Sequence, residues 1–140
     1  MSFEKIDIKD NKINEERSCI IVCNFAGKEL QFIKNYGAVF GIKDQILLNS
    51  KNGDSIVKDI IENNYIVEGE VGSNAKAIIF NNVSPAKMNI FIENLKKVRV
   101  KNILMATVTE TSREWSINTL LTNLVEERKA MNAGKTLNHK

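Results

Sequence analysis

The sequence predicts an α/β fold: a small, mostly parallel four-stranded sheet with helices on both faces and strand order 2-1-3-4. Two observations predict it. Short apolar runs alternate with segments of helical period, which implies crossover connections between parallel strands. The chain also matches itself without a gap when shifted by 57 residues: Ile21 meets Ile78, Asn24 meets Asn81, Ile33 meets Ile90, Ile46-Leu47 meets Ile103-Leu104, Ser55 meets Ser112 and Ile60 meets Ile117. Two βαβα units joined in this way place the first strand of each half, the more apolar one, side by side in the centre of the sheet.

Residues 1–18 are charged and weakly patterned, and read as a mobile arm with a short edge strand at Lys5–Ile8. Residues 19–131 read as one domain: a first repeat over 19–62, a linker over 63–76 and a second repeat over 77–131. Cys19–Phe25 is a continuous Ile/Val-rich run, the pattern of a strand buried on both faces. Leu30, Ile33, Gly37 and Phe40 share one helical face over 28–41, and Gly41 suits a helix C-terminus. Gln45–Asn49 is the second strand, and Asp54 or Ser55 can cap a helix running to about Glu62.

Two glycines and three asparagines in 63–75 mark the linker. Ala77–Asn81 restarts the cycle. Ser84-Pro85 is a helix start, followed by Met88, Phe91, Ile92, Leu95 and Val98 on one face. Asn102–Val108 is the fourth strand. Thr111-Ser112-Arg113-Glu114 fits a capping box, with Thr111 as N-cap, before the stripe Ile117, Leu120, Leu121 and Leu124. Residues 132–140 read as a polar tail.

Composition narrows the function classes. The chain has 140 residues, 43% hydrophobic and 26% charged, enough for a core and for solubility. The N-terminal run is polar and has no signal-peptide core, so a cytoplasmic location is expected, with no membrane association. Cys19 and Cys23 would lie roughly 13 Å apart on one strand face, too far to bridge, and read as small core residues. The net charge is +3. The one basic cluster, Lys96, Lys97, Arg99 and Lys101, suits a helix C-terminus better than a nucleic-acid patch. The single histidine, His139, sits in the tail, away from any triad or zinc cluster. No catalytic residue, metal or cofactor is assigned.

Three places can carry chemistry. In a parallel sheet, ligands bind beyond the strand C-termini. There the repeat would set Asn24 beside Asn81 to hold a small polar ligand, or each would simply close its turn. Thr107, Thr109, Thr111 and Ser112 gather hydroxyls at a helix start, an anion site or ordinary capping. Trp115, the only tryptophan, projects about 160–200° from the last helix's apolar stripe. It would pack on a local loop or anchor a second chain.

The stretch ATVTETSREWSINTLLTNLVEE (106–127), with AIIFNN (77–82) and CIIVCNF (19–25), resembles a small, largely clostridial bacterial family catalogued only as a domain of unknown function. Thr109, Thr111 and Trp115 match its pattern. Glu110 stands where a proline is usual and Ser112 where an asparagine is usual. The resemblance covers about 120 residues and implies no activity, substrate or cofactor.

The leading expectation is therefore a non-enzymatic binding module acting through a homodimer or a protein partner. The alternative is a small-ligand or anion-binding domain, or a minimal enzyme, with its site at the C-terminal edge of the sheet. Nucleic acid is not expected.

Overall fold

Two five-residue strands, Cys19–Cys23 (β1) and Ala77–Asn81 (β3), are buried along their whole length and form the centre of the sheet. The computed structural model describes residues 16–100 and 102–138, with 133–138 by their backbone alone. The strand expected at Lys5–Ile8, the basic residue Lys101 and the histidine His139 lie outside the described residues.

The elements run β1, α1 (Gly27–Val39), β2 (Gln45–Leu48), a 3₁₀ turn at Ser50–Asn52, α2 (Val57–Ile61), β3, α3 (Pro85–Lys97), β4 (Leu104–Thr107), a 3₁₀ turn at Ser112–Glu114 and α4 (Ile117–Asn138). The order is β2-β1-β3-β4, as expected. The sheet is mixed. β1 runs parallel to β2 and β3 parallel to β4, but the central pair is antiparallel, with Cys19 opposite Asn81 and Cys23 opposite Ala77.

That reversal decides where the helices go. Each strand–helix–strand unit steps outward from the centre, and the two units run in opposite directions. One crossover hand therefore sends both connecting helices to the same face. Ile33 of α1 and Phe91 and Leu95 of α3 pack there on Ile20, Val22, Ile78 and Phe80. On the other face Val57 and Ile60 of α2 and Ile117, Leu120 and Leu121 of α4 cover Cys19, Ile21, Cys23, Ala77 and Ile79.

The halves correspond, but not at the ungapped shift. Asn24 and Asn82 both leave the inner strand with positive φ (66° and 55°). Gly41 and Arg99 follow their helices likewise (83° and 62°). Ile42 N–H bonds the Gly37 carbonyl as Val100 N–H bonds that of Leu95. The spacing is 58 residues for these pairs. It becomes 60 from the second strand on, where Ile21 faces Ile46 and Ile79 faces Ala106. Two extra residues lie between Val100 and Ala106. The 57-residue shift fails for a physical reason: it equates Ile21 with Ile78, which belong to opposite faces, and a one-residue slip inverts every side chain.

Local signals mostly explain the element boundaries. Ser84 caps α3 by accepting from Lys87 N–H (3.3 Å), with Pro85 first in the helix. Gly37 is required inside α1, since a Cβ would run into the Gln45 amide and the Ile42 carbonyl. Two expectations are corrected. Neither Asp54 nor Ser55 caps α2: Ser55 Oγ instead accepts from Ile66 N–H (2.8 Å), and Ile56 occupies the N-cap position without a side-chain bond. Residues 132–138, read as a polar tail, continue α4.

Burial pushes the Cys23 thiol up to about 12 and the Cys19 thiol to about 11, and both are free. They are core-packing groups. The larger packing anchor is Phe91, fully buried with its ring edge-on to Phe80 at 6.2 Å. Phe91→Ala should lower the unfolding free energy by about 3–5 kcal/mol, read from urea denaturation midpoints.

Candidate functional site

The antiparallel centre separates the residues that the sequence had placed together. Asn24 lies at one end of the sheet, and Asn81, Thr107, Thr109, Thr111 and Ser112 at the other. Asn24 and Asn81 are not side by side, and no common C-terminal edge exists.

At the first end Asn24 is a clamp. Its Nδ2 donates to the carbonyls of Ser73 (3.2 Å) and Ala75 (2.7 Å), both in the linker between the halves. That linker is a strap, tied along its length. Gly69 N–H reaches the Lys51 carbonyl (2.9 Å) and Gly72 N–H the Ser50 carbonyl (2.8 Å). Asn52 donates to the carbonyls of Ile66 (2.8 Å) and Val67 (3.2 Å), and Asn118 Oδ1 accepts from Ser73 N–H (2.9 Å). The outer surface of the strap stays exposed: Ile66, Val67 and Val71 are 45%, 65% and 75% accessible, flanked by Glu68 and Glu70.

At the second end Asn81 is buried and donates to the Arg17 carbonyl (2.7 Å), while Asn82 donates to the Glu16 carbonyl (3.0 Å). Residues 16 and 17, read as part of a mobile arm, are thus anchored. Arg17 grips Asp44 through two bonds, Nε to Oδ2 at 2.6 Å and Nη2 to Oδ1 at 2.7 Å, and also reaches the Ile61 carbonyl (2.8 Å). The Arg17 hydrogen bonds hold the Asp44 carboxyl below its usual range.

The hydroxyls beyond β4 satisfy one another. Ser112 Oγ accepts from Thr109 N–H (2.9 Å) and Thr109 Oγ1 (3.1 Å), and Thr109 Oγ1 accepts from Ser112 N–H (3.0 Å). The capping box at Thr111 does not form. Thr111 makes no side-chain cap, Glu114 pairs with Lys58 (2.9 Å), and α4 is capped by Ser116, whose Oγ accepts from Thr119 N–H (3.1 Å). Trp115 precedes the helix in extended conformation (φ −89°, ψ 155°), so the helical phase does not apply to it. It is partly buried and packs against the core beneath α2 and α4.

The structure brings forward a surface that the sequence reading missed, the outer edge of β4. Leu104 N–H bonds the carbonyl of Lys76 (2.9 Å), just before β3, and Val108 N–H that of Phe80 (2.8 Å) in β3. In a parallel ladder alternate residues face the partner, so the N–H and C=O groups of Met105 and Thr107 point outward. Clefts flank this edge. One of about 510 Å³, on the α3 side, is lined by Ile92, Lys96, Val100, Ile103 and Met105. Another of about 280 Å³, on the α4 side, is lined by Lys76, Leu104, Val125, Arg128 and Lys129. A third of about 150 Å³ reaches Leu124, Glu127 and the exposed Met131. Arg128 spans them, its Nη2 on the Ile103 carbonyl (2.8 Å).

Residues 76–131 match the model of a family described as a domain of unknown function (DUF3783). The matched segment holds β3, α3, β4 and α4 as far as Met131, and so contains the β4 edge and, apart from Ala75 and Asn132, the residues that line the three clefts beside it. No curated protein and no solved structure gives a match. Among the described residues, no group of three or more His, Cys, Asp or Glu is placed to hold a metal ion. No described helix is long and apolar enough to cross a membrane.

Asn24→Gly removes the clamp while tolerating the positive φ, and should cost about 1–3 kcal/mol. Faster hydrogen exchange at the strap amides Gly69 and Gly72 should accompany it. Asp44 gives a pH signature. A carboxyl lowered in the folded state stabilises fully above its unfolded value, about 3.9, and that stability is lost as pH falls through the folded value. Because the pair is partly exposed, wild type should exceed Asp44→Asn by only about 0.5–1 kcal/mol at neutral pH, a margin that shrinks in denaturant titrations as pH falls below that unfolded value.

Proposed function

We propose that this protein is a non-enzymatic interaction module that receives an extended segment of a partner along the outer edge of β4. The observation that carries this reading is the pairing of outward backbone groups at Met105 and Thr107 with apolar clefts on both sides of the strand. An added strand would gain main-chain hydrogen bonds, and its alternate side chains would enter opposite clefts. Thr107 then contributes its backbone, not its hydroxyl. The ligand hypothesis is weaker because Asn24, Asn81, Thr109 and Ser112 already spend their polar groups on the chain itself.

The same reading places the protein in the cytoplasm, a reducing compartment that suits its two unbridged thiols. It also treats the halves as copies of one unit, supported by the matching left-handed turns at Asn24 and Asn82 and at Gly41 and Arg99.

Thr107→Pro tests the edge. It deletes an outward N–H that the β3–β4 ladder does not use, a position where an edge strand tolerates proline. Peptides selected by display on the wild-type protein should lose binding to Thr107→Pro, whose thermal unfolding stays close to wild type. Selection of no peptide, or of peptides that Thr107→Pro retains, would refute the proposal.

A further inference from the structure

Resting on that reading of the β4 edge, we infer that its occupant is the strap of a second copy of this chain, so that the protein associates head to tail.

Two surfaces of the molecule are complementary. The clefts along β4 are apolar and lined by four cations, Lys76, Lys96, Arg128 and Lys129, against one carboxylate, Glu127. Lys76 pairs with Glu29 and Lys129 lies 4.0 Å from Glu126, whereas Lys96 has no ion-pair partner among the described residues. The strap offers the reverse: Ile66, Val67 and Val71 project into solvent with Glu68 and Glu70 between them. Its acidic and apolar residues fall within six consecutive positions, Ile66 to Val71, with the chain bending at Val67 and Glu68. Charge of opposite sign on the two faces steers the encounter and sets its register.

The strap is also held ready. Its glycine amides bond inward to Lys51 and Ser50, which turns the exposed side chains outward and reduces the ordering cost of docking. Those ties keep it from its own groove. The strap meets α4 at Asn118, whereas the groove meets α4 at Arg128, ten residues or about 15 Å farther along.

The alternative symmetric dimer, edge against edge, would bring Lys96, Arg128 and Lys129 of both copies together, an excess of positive charge that Glu126 and Glu127 offset in part. The contact is therefore heterologous, and it propagates into a chain or closes into a ring.

Sedimentation velocity of the full chain over a concentration series tests this. Wild type should self-associate, less so at high salt. The strap variant Glu68→Lys/Glu70→Lys and the groove variant Lys96→Glu/Lys129→Glu should each associate at least about tenfold more weakly. Each retains one native surface but lacks its complement. An equimolar mixture supplies both complementary pairings, native groove with native strap and reversed groove with reversed strap, and should associate again, with the two variants alternating. The fourfold variant, reversed on both surfaces, should recover self-association. A wild type that is monomeric at every concentration, or a mixture that stays monomeric, overturns the inference. If Thr107→Pro still abolishes peptide binding while wild type is monomeric, the β4 edge stands as a binding surface and only the second copy is lost as its occupant.

Discussion

The antiparallel pairing of β1 with β3 is the constraint on which the rest of the molecule depends. Five residue pairs, from Cys19–Asn81 to Cys23–Ala77, join two parallel strand pairs back to back. A wholly parallel sheet would gather all strand C-termini at one edge. Here the seam sends the C-termini of β1 and β2 one way and those of β3 and β4 the other. It also puts both long crossover helices, α1 and α3, on one face, where Ile33 and Phe91 meet the same layer of strand side chains. The core is continuous across the seam because Ile21 lies opposite Ile79, and both point to the face covered by α2 and α4.

Splitting the strand ends changes what the polar residues there do. Loops crossing each end carry carbonyls that need donors once they are packed down. Asn24 and Asn52 supply them to the strap, and Asn81 and Asn82 to the segment entering β1. An asparagine also tolerates the left-handed backbone that reverses the chain, as at Asn24 and Asn82. One residue type thereby turns the chain and ties down what crosses it.

The two sheet edges differ in the same economy of backbone groups. Beside β2 lies a cleft of about 180 Å³, bordered by Lys34, Lys43, Gln45 and Leu47, with long charged side chains of the kind that discourage edge pairing. Beside β4, two extra residues between Val100 and Ala106 lengthen the connection from α3, and clefts open on both faces. The halves are alike in topology and unlike at their outer edges, and the proposed function rests on that difference.

By itself the sequence determined the elements and their core faces. The Ile/Val runs at 19–23 and 77–81 and the stripe Met88, Phe91, Ile92, Leu95 and Val98 have local periods that fix strand, helix and buried side. Strand order followed from where the most apolar strands must go. Tertiary structure decided pairing direction, register and caps, because these depend on groups distant in sequence. Hydrophobic period does not encode whether β1 and β3 run together or opposed. Thr111 had the spacing of a cap, but Val57 N–H takes the Trp115 carbonyl and Ile117 N–H takes that of Ser55, holding 115–116 extended and delaying the helix to Ile117. Asn24 and Asn81 were legible as strand ends, yet only the direction of the seam could tell that they stand at opposite ends of the sheet.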